Sequence, residues 1–265
     1  MFEVKVMSDS DYRKVDAISY SGLKKFRESP GKFLEKDSEA TKAMIIGRAF
    51  HEAFLLPKLF EESTIIKPEF SRKKEDLENK AKFESENAAK TILTQDEFDS
   101  IIGMRSRLRR IPLINKIFAG GDPESSFFWT DSNTNLSCKL RADFINQDLD
   151  MVIDLKTCQS SDHQSAKKEI ASRLYDMQAA FYLDHISKIR HHFFQHFIIV
   201  MIEKEFPFDV KIYNLGKSFM DRGRSLYRES LDSYAKFKDL IDFNENILDE
   251  VEFETIECPA WARMV

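Results

Sequence analysis

The stretch from Cys138 to Cys158, CKLRADFINQDLDMVIDLKTC, constrains the fold more than any other part of the chain. Two short runs of strand-forming residues, Leu140 to Ile145 and Met151 to Thr157, flank a polar turn at Asn146 to Asp150, which predicts a β-hairpin. Successive side chains of a strand point to opposite faces. Met151, Ile153 and Leu155 therefore share one side of the second strand, and Val152, Asp154 and Lys156 the other. In the first strand Arg141 and Asp143 share a face, with Ala142 and Phe144 opposite. Pairing of the two strands brings Asp143 within reach of Asp154.

Two carboxylates about 4 Å apart repel by roughly 4 kcal/mol at an effective dielectric near 20, so they are strained or partly protonated unless a cation joins them. Oxygen ligands favour a hard ion such as Mg2+ or Mn2+, which polarises a phosphoryl oxygen and acidifies a bound water. Lys156 then stands where it can orient or deprotonate that water, or stabilise charge building on a phosphate. The D-x-K tripeptide alone is common, and a solvated Asp/Lys pair on a surface hairpin also explains it. The wider pattern, an acidic strand residue followed by an apolar strand ending in Asp154-Leu155-Lys156-Thr157, resembles the PD-(D/E)XK nuclease core. Asp143 is then the first acid and Asp154-x-Lys156 the second half.

Residues 1 to 17 read as an irregular or short-strand lead-in, and a helix is expected over Ile18 to Phe26, stopped by Pro30. Ser19 or Ser21 serves as its N-cap, or holds a DNA phosphate at the helix N-terminus. A second helix runs from Ala43 to Leu56 and ends at Pro57; it is apolar nearly all round, so burial is expected, and Arg48 and His51 stand out on it. Residues 67 to 90 read as a solvated helix or loop, with an Arg72-Lys73-Lys74 triplet able to touch a DNA backbone. Thr94-Gln95-Asp96-Glu97 opens a helix to about Arg110 with a capping box, and Arg105, Arg107, Arg109 and Arg110 make its end basic.

A Gly120 to Pro123 turn leads into a strand from Glu124 to Thr130, where Glu124 is read as a strand-end charge in preference to a further metal acid. After the hairpin come a polar crossover, Gln159 to Lys168, and a helix from about Ile170 to Leu183 that places Gln178 and Tyr182 on one face. Strands are expected over Phe193 to Ile202 and Pro207 to Tyr213, then a long helix from Leu215 to about Phe243 carrying Arg222, Arg224 and Arg228. Helices before and after a mixed sheet give an α/β class, expected as a single domain over 1–265.

Taken together, Ser19-x-Ser21, Gly47-x-x-x-His51, Glu124, Arg141-x-Asp143, Asp154-x-Lys156-Thr157, Gln178-x-x-x-Tyr182 and Pro259-x-Trp261 resemble, in this order, the RecE family, the exonuclease VIII branch of the RecB-like PD-(D/E)XK nucleases. The resemblance runs from about Ile18 to Trp261. It implies a nuclease that digests linear double-stranded DNA from the 5′ end and leaves 3′ overhangs for a single-strand annealing protein (RecT-like). It further implies metal ligation by His51, Asp143, Asp154 and the Leu155 carbonyl, with two Mg2+ ions clamping the scissile phosphate. Lys156 becomes the catalytic lysine, Gln178 and Tyr182 a substrate-positioning pair, and Ser19, Ser21, Arg48 and Arg141 DNA contacts. A ring-shaped homo-oligomer is implied by analogy. An endonuclease or single-strand-specific nuclease on the same core, or a catalytically silent DNA-binding scaffold, are the rival readings.

Composition bears on three points. The net charge of −5 restricts any DNA contact to a local basic surface. With three cysteines and no C-x-x-C pair, the four-cysteine iron–sulfur cluster of some relatives of this core lacks its ligands, and reduced thiols are expected. No apolar run approaches a membrane span and no cationic-then-apolar leader opens the chain, so a cytoplasmic location is expected.

Overall fold

The computed structural model describes residues 3–5, 7–34, 40–71 and 73–241; Arg72, Cys258 and the Pro259-x-Trp261 motif lie outside them. The first part of the chain forms β1 (Glu3–Lys5), α1 (Asp9–Lys14), α2 (Tyr20–Glu28), α3 (Pro30–Leu34), α4 (Lys42–Leu55) and α5 (Pro57–Ser63). Next come β2 (Thr64–Ile66), α6 (Lys74–Glu86), β3 (Thr91–Leu93), α7 (Gln95–Arg109) and α8 (Pro112–Ile117). The hairpin region follows as β4 (Asp122–Thr130), β5 (Ser137–Asn146) and β6 (Met151–Cys158). α9 (His163–Ser172), α10 (Tyr175–Arg190), β7 (His196–Glu203), β8 (Val210–Asn214) and α11 (Lys217–Ile241) complete it.

Among the described residues, six strands form one sheet in the order β1-β4-β5-β6-β7-β8, and β2 pairs with β3 in parallel apart from it. β4, β5 and β6 make an antiparallel meander, as expected, whereas β6 and β7 run parallel with α9 and α10 as their crossover. Strands deep in such a sheet are buried on both faces, which explains the unbroken apolar run of β7. On one face Leu23, Ile170, Phe181 and Leu231 of α2, α9, α10 and α11 pack on Ile145, Val152 and Ile199. On the other, Phe50, Phe60, Met104 and Ile114 of α4, α5, α7 and α8 pack on Ile153, Leu155 and Val200. Each such side chain, fully buried, stabilises the fold by about 2 kcal/mol. The result is a mixed α/β sandwich with β6 at its centre.

Several expectations change. α4 is not buried all round: Ala49, Phe50, Ala53 and Phe54 are, but Met44 is 61% exposed, because only the C-terminal half of the helix lies on the sheet. Pro30, Pro57 and Pro112 open new helices as well as ending old ones, since proline lacks only an N–H that the first turn leaves unpaired anyway. The expected crossover is helical from His163, capped by Asp162, and Leu174 in the left-handed region (φ 58°) separates α9 from α10. The lead-in holds the short strand β1, in line with the second of its two readings, and adds α1, capped by Ser8. β2 and β3 are too short to show a period in sequence. β7 starts at His196, leaving Phe193 77% exposed beyond the left-handed end of α10 at His191.

The capping box is present: Glu97 N donates to Thr94 Oγ1 (3.3 Å) and Thr94 N to Glu97 Oε2 (2.9 Å). At the other end of α7, Arg109 donates to the Phe54 carbonyl (2.9 Å) and lies over its ring, a structural use of one of the four basic residues there. Arg222, Arg224 and Arg228 of α11 pair with Asp176, Asp184 and Asp131. Among the described residues no helix is long and apolar enough to cross a membrane.

Candidate active site

The site forms where β5 and β6 part. Their ladder runs from Asn146↔Met151 to Phe144↔Ile153 and stops one pair short of Asp143↔Asp154. The freed Leu155 N–H donates to Asp143 Oδ2 at 2.8 Å, so the carboxylate replaces a backbone acceptor of β5. Because the N–H and C=O of a strand residue point to the same edge, the Leu155 carbonyl faces the same opening. α4 brings His51 Nδ1 to 3.5 Å from the same Asp143 oxygen.

The alternation expected along β5 fails at this point. Ala142 packs with the α2/α10/α11 layer and Phe144 with the α4/α7 layer, so the two do not share a face. The residue opposite Asp143 on β4 is Glu124, held in the left-handed region at φ 49°, and the Glu124–Asp143 pair is missing from the β4–β5 register. This irregularity turns Glu124 inward. Its carboxyl oxygen, an Asp143 oxygen and a His51 ring nitrogen lie within 4.8 Å of one another. Burial, and then the Asp143 charge, push the Glu124 carboxyl up to about 8, even with Arg141 4.0 Å away. The reading of Glu124 as a strand-end charge is therefore corrected; the usable signal was an acid following Gly-Gly-Asp-Pro, opposite Asp143.

Asp154 sits on the α10 side of β6, as its strand parity requires. Lys156 Nζ is 2.8 Å from both of its oxygens, with the hydrogen bond directed at Oδ1. Gln178 Nε2 also donates to Oδ1 (2.8 Å), while Oδ2 is buried and receives no hydrogen bond. Burial raises the Asp154 carboxyl, helped by Asp143 and opposed by Lys156. Burial works against the Lys156 charge, yet Asp154 and Asp143 together hold its proton more firmly than usual. The Tyr175 ring lies 5.0 Å from Lys156 Nζ, a neighbour that sequence reasoning missed. Tyr182, one turn after Gln178, rises well above the ordinary phenol range, chiefly through burial, with Tyr12, Asp143 and Asp154 adding to it.

The expected DNA contacts divide. Ser19 caps α2 by accepting from Gly22 N (3.3 Å), and its hydroxyl lies 2.9 Å from that of Ser21. Both line a cleft of about 900 Å3 with Arg13, Lys25 and Arg48. Arg141 is turned inward instead: it donates to Ser126, Asp9 and the Ser8 carbonyl and lies over the Tyr12 ring, tying α1 to the sheet.

These residues fit a divalent cation. The donors are carboxylates, one imidazole and a strand carbonyl; one buried carboxylate oxygen, Asp154 Oδ2, lacks a hydrogen bond, and Glu124 is raised by burial and then by the Asp143 charge, a conflict that a cation would relieve. Among the described residues the group with ligand atoms within 4.8 Å of one another is His51, Glu124 and Asp143; the expected ligand Asp154 lies outside that group, held by Lys156 and Gln178, and Glu124 joins the ligand set.

Residues 19–243 match a family described as "PDDEXK-like domain of unknown function (DUF3799)". A crystal structure described as that of a "Putative exonuclease" from Eubacterium rectale superposes with a TM-score of 0.64 at 15% identity, covering 96% of this chain and 97% of the other. A second solved structure, SSO0001, is 19% identical over 73% of this chain and 86% of that one, with a TM-score of 0.31, too low to bear on the fold. No curated protein matches the sequence.

Proposed function

We propose that this chain, which belongs to the family of PDDEXK-like domains, is a metal-dependent nuclease, and more narrowly a 5′→3′ exodeoxyribonuclease acting on linear double-stranded DNA. One observation carries the reading: His51, Glu124 and Asp143 from three different elements present ligand atoms within 4.8 Å of one another at the opening between β5 and β6, and Asp154 of β6 is paired with the ammonium of Lys156. Structural ion pairs do not need a strand ladder interrupted to admit a carboxylate.

His51, Glu124, Asp143, Asp154 and the Leu155 carbonyl are the groups that would hold Mg2+ or Mn2+, which when bound supplies Lewis-acid polarisation of the phosphate and offsets the clustered negative charge. Lys156, an ammonium paired with Asp154, orients the attacking water and stabilises charge that develops on the phosphate oxygens. Gln178 fixes the Asp154 carboxylate through Oδ1, while Oδ2 lies 2.8 Å from the Lys156 ammonium. Tyr182 offers its phenol to the substrate, and Ser19, Ser21 and Arg48 hold backbone phosphates in the cleft they line. Digestion from the 5′ end leaves 3′ overhangs suited to a strand-annealing protein, and a ring of subunits around the duplex would give processivity.

The test is digestion of linear duplex labelled at either the 5′ or the 3′ end, alongside closed circular plasmid, with Mg2+ and with EDTA. Early Mg2+-dependent release of the 5′ label, with the circle untouched, is the expected result. Cutting of the circle would replace the exonuclease by an endonuclease, and no release from any DNA in Mg2+ or Mn2+ would reject the nuclease reading.

A further inference from the structure

Gly47 sits inside α4, where glycine weakens a helix relative to alanine because it has more backbone freedom to lose on folding. Neither usual reason for a glycine applies to it. Its φ is not positive, and among the described residues a Cβ there would meet, outside its own helix, one atom within 4 Å, Thr157 Oγ1 at 3.9 Å. Gly121 and Gly223 differ, since side chains there would run into the Ile145 and Asp176 carbonyls. The packing of α4 on the sheet thus leaves room at Gly47 that an alanine methyl would fill. Gly47 also lies one turn before His51, on the face that reaches Asp143.

Thr157, across that room, is equally out of pattern. β6 lies between β5 and β7, and its residues from Val152 to Leu155 and Cys158 are buried, but Lys156 and Thr157 are partly exposed. Strand parity sends Lys156 to the Asp154 face and Thr157 to the α4 face, so the sheet is open on both sides at this level. Among the described residues the Thr157 hydroxyl has no hydrogen-bond partner. Arg48, the residue after Gly47, lines the cleft that Ser19 and Ser21 also line.

We propose that the gap between Gly47 and Thr157 seats the sugar–phosphate backbone of a bound DNA strand: the Thr157 hydroxyl donates to a phosphate oxygen, and the bare backbone of Gly47 lets the strand lie against α4 one turn from His51. Both are positioning residues, and neither holds metal. The inference rests on the nuclease reading and deepens it. The contact carries no base information, and its effect should be the same for any sequence.

The experiment measures thermal melting, binding of a fluorescent DNA duplex in EDTA over a range of salt, and steady-state cleavage in Mg2+ for wild type, Gly47→Ala, Gly47→Leu, Thr157→Val and Thr157→Ser. Gly47→Ala should melt about 3 °C higher, as a helical glycine replaced without a clash does, yet bind duplex about threefold more weakly. Gly47→Leu, which fills the gap, should bind at least about tenfold more weakly. Thr157→Val should lose about fivefold in affinity, as for one lost hydrogen bond, with an unchanged salt slope because no charge is removed, and Thr157→Ser should restore it. In Thr157→Val, KM should rise with the loss of affinity while kcat falls less than about twofold. Wild-type duplex affinity in Gly47→Ala or in Thr157→Val, or a loss in Thr157→Val that Thr157→Ser does not restore, overturns the proposal while wild-type cleavage stands. A wild type that binds duplex but releases no nucleotide sinks the nuclease reading without touching the binding result.

Discussion

Replacing Lys156 with Ala separates the two things its ammonium does. In the metal-free protein the substitution leaves Asp154, which is 3% exposed, without its opposite charge. Breaking a fully buried pair costs about 3–5 kcal/mol. Here the Lys156 side chain is 20% exposed, Gln178 still donates to Oδ1, and burial already pushes the Asp154 carboxyl upward, so it can take up a proton. A loss nearer 2 kcal/mol follows, or about 5 °C in melting temperature for a chain of this size. The chemical loss should be larger, on the order of a thousandfold in kcat, the range for a residue that handles charge in the transition state. Lys156→Arg keeps a cation against Asp154 and should recover most of the stability but little of the rate, because the planar guanidinium cannot occupy the same point. Release of labelled nucleotides from linear duplex, thermal melts in EDTA, and duplex binding by anisotropy measure the three quantities. Cleavage within tenfold of wild type in a folded Lys156→Ala protein would refute the reasoning, since no other described cation is paired with Asp154.

Glu124→Ala removes a partly buried acid that faces Asp143: the metal-free protein should melt higher, while Mn2+ affinity by calorimetry falls at least tenfold, and unchanged affinity would return Glu124 to a structural role. Gln178→Ala takes one hydrogen bond from Asp154 and should cost about 1 kcal/mol and about tenfold in kcat; wild-type rates would mean that the amide does not orient the carboxylate. Asp131 accepts two hydrogen bonds from Arg228 and others from Thr134, and although burial opposes the charged form these hold its carboxyl well below the usual range. A depressed pKa means stability that is full above the unfolded value, near 4, and lost as pH falls below it. Arg228→Ala should therefore cost about 2 kcal/mol at pH 7 and flatten the acid limb of the stability curve; a variant that follows wild type down to pH 2 would show the pair to be inert.

The sequence by itself determined the meander and the chemistry at its end. Period-2 patterning is local, so the turn at Asn146 to Asp150 and the opposite faces of Asp154 and Leu155 could be read before any packing was known. Helical spacing likewise set Gln178 and Tyr182 on one side of α10, and the Thr94 capping box fixed the start of α7. Only the tertiary structure decided what happens where that alternation breaks. β5 leaves β6 at Asp143, and opposite it Glu124, from another strand, takes a left-handed conformation; no rule of spacing within β5 carries that information. The same holds for Arg141, which parity allowed to face a ligand but which Ser8, Asp9 and Ser126 claim. Local pattern sets the direction of a side chain, whereas the partner that meets it is set by strands and helices far away in sequence.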